Sequence, residues 1–335
     1  MKNVKNVKKN SDMVYIGANG RKLVVLAGLA VTAVLLFQFV DVDMRHFDYA
    51  MRIRSPKLAV ILITAFCIGS ATIVFQSIIA NTIVTPCLLG MNALYILTHT
   101  AVVFAFGSMN IMVTAKWVSF SVDLIIMGIA AVLIYGYLFK KTGGNVLYIL
   151  LAGTVTATLF SSVTSAMQRI MDPNEYETLM NALIASFHKV NADIIAMSLM
   201  LIAALIFILR HEIALLDVIA LGKDQATNLG VDYDKTVRRL LLGVTLFIAV
   251  ATAMVGPLSF LGLVIANLSR QLFSTFRHAI LIFGSAFIGM AVLLAGQALI
   301  EHVFSFSVNI GVFVNVGGGV YFLYLLLRNG GKNAS

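Results

Sequence analysis

The chain has 335 residues, of which 60% are hydrophobic and 12% are charged, and its mean hydropathy is +0.95. Soluble domains are about half apolar and about a quarter charged, so this composition excludes an ordinary soluble protein. The formal net charge is +9, but the basic residues flank apolar runs, which is typical of a membrane protein and argues against nucleic acid as a partner. The runs are continuous and do not alternate, so we expect an all-α, polytopic membrane protein in contact with lipid.

Ten apolar segments are predicted to cross the membrane. The junction between the seventh and eighth holds Gly256 and Pro257. Proline has no backbone N–H and glycine tolerates unusual dihedral angles, so we expect the helix to break there. Broken helices inside a membrane usually line a cavity, because their freed backbone groups need partners. In chain order the segments lie near residues 23–40, 57–79, 87–106, 118–138, 145–167, 193–209, 239–256, 258–269, 279–300 and 311–327.

The basic residues predict the orientation of these segments. With the N-terminus inside, ten crossings place 17 Lys and Arg residues on inner segments and 7 on outer ones. We therefore expect a multi-pass protein of the cell (cytoplasmic) membrane with both termini in the cytoplasm. Residues 1–335 are predicted to form one transmembrane domain, with a cytoplasmic tail at 1–22 and a structured cytoplasmic connection at 213–238. The outer stretch 169–193 is long enough for a short surface helix.

Four stretches carry a more specific pattern, and they occur in a fixed order along the chain. They are residues 76–90, 220–230, 256–270 and 311–326. Together they resemble the iron-siderophore and cobalamin (FecCD-like) ABC importer permeases. Three places in these stretches depart from the family pattern. Asn81-Thr82-Ile83-Val84 stands where the family has Asn-Pro-Leu-Ala, Ala266-Asn267 stands where it has Pro-His, and Val320 stands where it has Pro.

The resemblance implies the type II ABC importer permease fold, with about ten transmembrane helices. It implies that the chain moves a ferric siderophore, in our interpretation of the catecholate type, into the cytoplasm. The implied partners are an ATP-binding subunit that holds ATP and magnesium, a substrate-binding protein or lipoprotein, and a second permease, identical or different. No cofactor is expected in this chain, because iron travels as the siderophore complex. Two alternatives stay open: a haem or cobalamin permease of the same fold, and an ion-coupled secondary transporter, which would need charged groups at mid-membrane.

A polar stretch at residues 220–230 interrupts the apolar chain. In the family the corresponding residues form coupling helices that contact the ATPase. We expect residues 217–235 to form a helix–turn–helix with a sharp turn at Gly222, where a bulky residue would clash. The resemblance assigns the contact to Ala220, Leu221, Gly222, Ala226, Leu229 and Gly230.

Two basic residues, Arg54 and Lys57, flank Pro56 at the outer end of the second span. In the family an Arg-x-Pro-Arg turn at this place receives carboxylates of the binding protein, so the resemblance assigns docking to Arg54 and Lys57. Lysine at position 57 keeps the charge but loses the bidentate geometry of arginine. The alternative is a basic side chain that snorkels at the end of the span.

The spans hold few charged groups, so we expect a wide and weakly selective translocation pathway. Charged walls would be costly, at about 2.5–3.5 kcal/mol per residue on insertion scales. For the glycines of the pathway, the alternative is close helix packing without a role in motion. The predicted lining comes from the fifth span, the broken junction and the tenth span: Thr154, Thr158, Ser161, Ser162, Ser165, Gly256, Pro257, Gly317 and Gly318.

No catalytic residue and no metal site is predicted. The sequence lacks Gly-x-x-x-x-Gly-Lys-Ser/Thr, so we do not expect this chain to hydrolyse ATP itself. Cys67 and Cys87 lie in or beside apolar runs and are interpreted as small core residues. His99 and His188 are expected to be satisfied locally. Asp123, near the outer end of the fourth span, is expected to face the membrane interface.

Overall fold

The structure is a computed structural model that describes residues 2–40, 42, 44–141, 146–187, 191–305 and 307–330. Regular structure in these ranges is helical, and 3-10 turns at Met44–His46 and Pro86–Leu89 precede two of the α-helices. In chain order the α-helices are α1 (Lys2–Phe39), α2 (Phe47–Ile79), α3 (Met91–Phe106), α4 (Ile111–Thr114), α5 (Lys116–Lys141), α6 (Val146–Ile170), α7 (Pro173–Leu183), α8 (Ala192–Ala214), α9 (Leu216–Ile219), α10 (Lys223–Asn228), α11 (Tyr233–Val255), α12 (Leu261–Leu272), α13 (His278–His302) and α14 (Ile310–Gly330).

Ten of these helices coincide with the ten predicted spans, and the all-α prediction is confirmed. Within the described ranges, seven helices are long and apolar enough to cross a membrane, namely those in α1, α2, α5, α6, α8, α11 and α13. Shorter apolar stretches lie in α3 and α14, and α12 has only 12 residues. The number of ten crossings therefore stays a prediction.

The core of the bundle is built around α2, which packs against α11 and α13. The apolar window of α2 is 78% buried and that of α11 is 72% buried, against 11% for α1 and 17% for α6. Small residues permit the close approach of α2 and α13, since a Cβ added at Gly69 would lie 2.9 Å from Oγ of Ser285. It follows that α1 and α6 are peripheral and turn broad faces outward, toward lipid or another chain.

Contacts between distant residues group the predicted inner segments at one end of the bundle. The side chain of Lys22 donates to the carbonyl of Leu272, with Nζ and O 2.9 Å apart. The start of the first span and the end of α12 therefore lie at the same end of the bundle, as the charge distribution predicts. The predicted tail at 1–22 lies largely within α1, which begins at Lys2 and continues into the first span. Which end faces the cytoplasm stays a prediction.

The predicted helix break at Gly256 is present. Helix α11 ends at Val255 and α12 begins at Leu261. Gly256 has φ +96° and ψ 177°, and the backbone N–H of Ser186 donates to the Val255 carbonyl at 2.9 Å. A Cβ added at Gly256 would lie 3.0 Å from Cα of Ala185. The segment after α7 thus braces the break by direct backbone contact.

The outer stretch before α8 holds the predicted surface helix, α7. The side chain of Asp172 caps its first turn, and Pro173 occupies the first helical position, where a missing N–H has no cost. Glu175 accepts a hydrogen bond from the backbone N–H of Ser108, which ties α7 to the end of α3. His188 lies in the stretch 188–190, outside the described residues.

Candidate functional site

The predicted coupling segment, residues 213–238, connects α8 to α11 through the short helices α9 and α10. Backbone hydrogen bonds close the turn between these helices: Gly222 N donates to the Ile219 carbonyl and Ala226 N to the Gly222 carbonyl, each at 3.0 Å. A third bond, from Val231 N to the Ala226 carbonyl at 3.0 Å, closes the far side. The expected helix–turn–helix is present, and its docking on an ATPase stays a prediction.

The turn depends on Gly222, which has φ +98° and ψ 167°. This region of dihedral space is essentially restricted to glycine. No heavy atom lies within 4 Å of a Cβ added at Gly222 or at Gly230. An added Cβ at Gly222 therefore meets no clash inside this chain, and the expected clash of a bulky residue stays a prediction. The physical constraint is backbone strain, and the open space around the turn leaves room for another molecule.

The residues of the coupling motif divide into a buried and an exposed set. Ala226 is fully buried, and Ala220 and Gly230 are exposed. Leu221 is 52% exposed and Leu229 is 64% exposed, although both lie outside the apolar spans. Exposed apolar side chains in a polar segment are typical of protein–protein contacts. The motif thus anchors itself through Ala226 and presents two leucines outward.

Polar groups fix the return of the segment into α11. Nζ of Lys223 lies 2.9 Å from each carboxylate oxygen of Asp234, and this hydrogen bond raises the pKa of Lys223 above its ordinary value. The side chain of Asp232 accepts from the backbone N–H of Lys235 at 3.1 Å and caps α11. Exposed ion pairs stabilise a fold only weakly. The Asp232 cap therefore contributes more than the Lys223–Asp234 pair to fixing where the coupling segment ends and α11 begins.

At the other end of the bundle, Arg54 has a structural role of its own. Its Nη1 donates to the carbonyls of Phe37 at 3.0 Å and Val40 at 2.6 Å. The last carbonyls of a helix lack partners inside that helix, so Arg54 caps α1 and joins it to α2. The side chain is only partly exposed. Docking of a binding protein on Arg54 stays a prediction, and it would have to be compatible with this cap.

Lys57 lies deeper than the sequence suggests. It is 9% exposed, and its Nζ lies 3.7 Å from Oε1 of Glu301 in α13. The amide of Gln297 donates to the same carboxylate at 2.9 Å. This pair links the ends of α2 and α13 that are predicted to face outward, so the environment of Lys57 is that of a buried ion pair. Its docking role stays a prediction, and the ion pair gives it a structural role besides.

We expect the substitution Lys57→Glu to reduce the yield and thermal stability of the folded protein in detergent. The side chains of Lys57 and Glu301 are only 11% and 12% exposed. The substitution would therefore place two carboxylates next to each other where little water can screen their repulsion. Removing one partner of a buried pair costs about 3–5 kcal/mol. The exchanged pair Lys57→Glu/Glu301→Lys should recover most of the loss. Equal yields and melting temperatures for the wild type and Lys57→Glu would contradict the pairing.

Docking at the outer end is tested separately with Arg54→Gln. This change removes the charge but keeps side-chain N–H donors, on a shorter side chain. We expect weaker binding of the binding protein at low salt, and a smaller difference at high salt, because an exposed charge is screened. Unchanged binding at low salt would show that other surfaces hold the partner.

The predicted pathway residues of α6 form one exposed stripe of hydroxyl groups. Thr158, Ser161, Ser162 and Ser165 are exposed, and Thr154 is partly exposed. Their spacing of three, four and seven residues places them on one helix face. Four of the hydroxyls donate to carbonyls of the same helix, at 2.8–3.0 Å. The stripe is therefore polar, with four of its five hydroxyl donors already satisfied, and its place in the translocation pathway stays a prediction.

Of the remaining pathway residues, Gly256 and Pro257 lie in the broken junction, and α14 contacts that junction at Gly318. A Cβ added at Gly318 of α14 would lie 2.3 Å from Cβ of Phe260, just before α12, whereas one added at Gly317 would meet nothing within 4 Å. The rings of Phe260 and Phe322 lie 6.2 Å apart. Gly318 therefore serves close packing of α14 on the junction, and Gly317 is open. In this chain α6 packs on α3, and α14 packs on α12 and α13, so the two predicted walls belong to different parts of the bundle.

Sequence analysis missed one buried polar pair. The expectation that Asp123 faces the membrane interface is wrong, because its side chain is only 2% exposed and its Oδ2 lies 3.0 Å from Nδ1 of His99. The two residues come from α5 and α3 and line a cavity of about 330 Å³ together with Tyr95 and Lys116. Their separation in the sequence gave no signal of the pairing. As expected, His99 is satisfied locally.

No group of three or more His, Cys, Asp or Glu residues that could hold a metal ion occurs in the part of the chain that the structure describes. Cys67 is buried and Cys87 partly buried, and both are free thiols.

The fold and the site together define a polytopic helical membrane protein with a structured polar segment at one end. Its features are those of a transport subunit, with an open hydroxyl-lined helix face and an exposed apolar contact outside the spans.

Comparisons with known proteins agree with this class. The model of the FecCD transport family matches residues 23–328. The petrobactin import system permease protein YclO of Bacillus subtilis is 40% identical, over 92% of this chain and 98% of the relative. The petrobactin import system permease protein FatC of Bacillus anthracis is 32% identical, over 86% and 82%. A solved structure of a metal-chelate type ABC transporter in an inward-facing conformation matches with TM-score 0.77 and 19% identity, over 92% and 99% of the two chains.

The chain belongs to the FecCD transport family, as its four motifs predicted, and it is a transport permease subunit. The likeness to the solved transporter, at 19% identity, shows the fold alone. That fold is the all-α, multi-pass permease architecture expected from the sequence.

Proposed function

We propose that this chain is the membrane-spanning subunit of an ABC importer that brings a ferric siderophore into the cytoplasm. The siderophore is petrobactin or one of closely similar chemistry. The observation that carries the proposal is the likeness to two petrobactin permeases along nearly the whole chain. A separate ATPase, which binds ATP and magnesium, supplies the energy, and a binding protein or lipoprotein delivers the cargo.

The coupling segment supports an ATPase as the inner partner. Its two exposed leucines and the open space at Gly222 form a compact protein contact at the end of the bundle assigned to the cytoplasm. Docking there would couple conformational changes of the ATPase to α8 and α11, the helices on either side of the segment. Both termini are proposed to lie on this same cytoplasmic side.

The exposed hydroxyl stripe of α6 supports a second permease as the lateral partner. Lipid offers hydroxyl groups no hydrogen-bond partner, whereas water does so in a pathway between two subunits. The stripe at Thr158–Ser165 is open in the single chain, as a shared pathway requires. A second copy or a related permease, each with its own α6, would complete the wall.

Uptake by whole cells tests the proposed cargo. A strain that lacks this chain should lose uptake of radioactive ferric petrobactin and regain it when the chain is restored. The same strain should take up haem and cobalamin normally. Loss of haem or cobalamin uptake with unchanged ferric petrobactin uptake would replace the proposal with the corresponding alternative in the same fold.

We further expect the permease to bind its cargo weakly when its binding protein is absent. Four of the five hydroxyl donors in the stripe of α6 are satisfied within the helix, so the stripe offers few strong contacts to a large and often anionic complex. Isothermal titration of the purified permease should give a dissociation constant weaker than about 1 μM, which corresponds to a binding free energy near −8 kcal/mol. Tighter binding that Ser162→Ala abolishes would contradict this and point to a true binding site in the wall.

A further inference from the structure

A set of side-chain contacts links the coupling segment to the inner end of α2 through α13 and α12. We propose that Asp217, His278, Ser269 and Arg270 are positioning residues that transmit movement of the coupling segment to α2 and to the loop at residues 80–85. The inference rests on the proposed docking of that segment on an ATPase. It adds the route by which the docked segment acts on the membrane-spanning helices.

The first link joins the coupling segment to α13. Asp217 lies in α9, immediately before the coupling motif, and its Oδ1 accepts from the backbone N–H of His278 at 2.9 Å. The same oxygen lies 2.5 Å from Nδ1 of the His278 ring, which must carry the proton for this contact to be a hydrogen bond. His278 is the first residue of α13 and is only 6% exposed. Two contacts on one oxygen make α9 and the start of α13 move together.

The second link joins α13 to α12. Oγ of Ser269 donates to the carbonyl of Leu281 at 3.0 Å, and the hydrogen bond is buried. The ring of Phe273 packs so closely on α13 that a Cβ added at Gly284 would lie 2.3 Å from it. A short connection between the two helices and this dense contact leave little freedom for one to slide on the other. A displacement at His278 therefore reaches the end of α12.

The third link joins α12 to α2. Nε of Arg270 donates to Oε1 of Gln76 at 3.1 Å, and its Nη2 donates to Oγ of Ser77 at 2.9 Å. Neutral acceptors bind a guanidinium less strongly than a carboxylate does. This contact can therefore be exchanged during a conformational change at a smaller energetic cost than a buried ion pair. Arg270 is therefore suited to hold α2 in one state and release it in another.

The last link reaches the loop at residues 80–85. Nε2 of Gln76 donates to the Thr82 carbonyl at 2.6 Å, and Nδ2 of Asn267 donates to the same carbonyl at 2.9 Å. One donor comes from α2 and the other from α12. The position of the loop therefore depends on both helices, and it must change when Arg270 changes its hold on α2.

Two measurements on the assembled transporter, with its ATPase and binding protein, test the proposal. The first is uptake per ATP hydrolysed. The second is the emission of a fluorophore at Thr82→Cys in a background carrying Cys67→Ala and Cys87→Ala. We expect Asp217→Ala to copurify with the ATPase and to hydrolyse ATP. Its uptake per ATP should fall by about 5-fold or more, the usual lower range of coupling between distant sites. The Thr82 probe should lose its response to ATP.

Conservative and combined variants separate positioning from simple folding. Asp217→Asn keeps an oxygen acceptor for the His278 N–H groups and should restore most of the coupling. The double variant Asp217→Ala/Arg270→Ala should lose no more coupling than the worse single variant, because both residues act in one linkage. His278→Ala repeats the test if Asp217→Ala accumulates poorly. Asp193→Asn, an exposed acid at the far end of α8, is the matched control.

The outcomes distinguish this inference from the proposed function. A wild-type chain that does not copurify with an ATPase through residues 217–235 would overturn the proposed docking and with it this inference. A docked complex in which Asp217→Ala leaves both uptake per ATP and the Thr82 response unchanged would overturn the inference alone. Losses that multiply in the double variant would also overturn it, since they would mean two independent roles.

Discussion

Replacing Gly256 with valine is expected to abolish transport and to deplete the folded protein from the membrane. Gly256 has φ +96° and ψ 177°, a region that is essentially restricted to glycine and costs other residues about 1–3 kcal/mol. The new Cβ would also lie 3.0 Å from Cα of Ala185, where backbone must move. Overpacking of this kind costs about 1–3 kcal/mol more. The sum is a large part of the free energy of unfolding of a typical domain, about 5–15 kcal/mol.

The measurement is the amount of monodisperse protein extracted from membranes, together with its melting temperature in detergent. Gly136→Ala is the matched control, because Gly136 lies inside α5 and a Cβ there meets nothing within 4 Å. That control should be neutral or slightly stabilising, since alanine is a better helix former than glycine. A Gly256→Val protein with wild-type yield and melting temperature would show that the break is not held by this backbone contact.

Replacing Gly222 is expected to separate backbone strain from contact with a partner. Alanine and tryptophan suffer the same strain at φ +98° and ψ 167°, about 1–3 kcal/mol. The chain itself has no heavy atom within 4 Å of the added Cβ. A further loss of ATPase binding with tryptophan, at a melting temperature equal to that of the alanine variant, therefore reports a clash with another molecule. We expect Gly222→Ala to weaken the ATPase complex moderately, and Gly222→Trp to lower uptake by at least about 10-fold, a free-energy change of about 1.4 kcal/mol.

Copurification with the ATPase and uptake by cells are measured at matched membrane levels of both variants. Leu221→Ala supports the interpretation, because it removes an exposed apolar side chain without changing the turn. Its complex should also weaken. Identical behaviour of Gly222→Ala and Gly222→Trp would mean that the open face of the turn does not meet a partner, and normal transport by both would contradict the coupling role.

The architecture was predictable because its signals are local. Long apolar runs locate the helices, and the pair Gly256–Pro257 locates the break, since each effect depends on a few neighbouring residues. The coupling segment was predictable for the same reason. Its turn glycines and its polar composition stand out against the spans on either side.

The long-range pairings were not predictable. Asp217 with His278 and Lys57 with Glu301 are brought together only by packing of helices far apart in the chain. No periodicity records which helix faces which. Asn267 illustrates the limit: the sequence marks it only as a departure from the family, whereas its amide in fact donates to the Thr82 carbonyl and joins α12 to the loop after α2.

Two residues of the predicted sites have neighbours that give them a structural role. Arg54 was assigned to an exposed docking patch, yet it caps the end of α1 through the carbonyls of Phe37 and Val40. Gly318 was grouped with Gly317 in the pathway, yet only Gly318 packs against Phe260. In both cases the residue type was correctly recognised as special, and the neighbour that explains it was unknown.

The most direct test of the account is ATP-driven uptake into proteoliposomes that contain this chain, its second permease, the ATPase and the binding protein. Radioactive ferric petrobactin bound to the binding protein is supplied outside, and ATP with magnesium is enclosed. The account predicts accumulation that requires ATP, requires the binding protein, and is lost with Gly222→Trp. Uptake that proceeds without ATP and follows an imposed ion gradient would contradict it and favour an ion-coupled transporter.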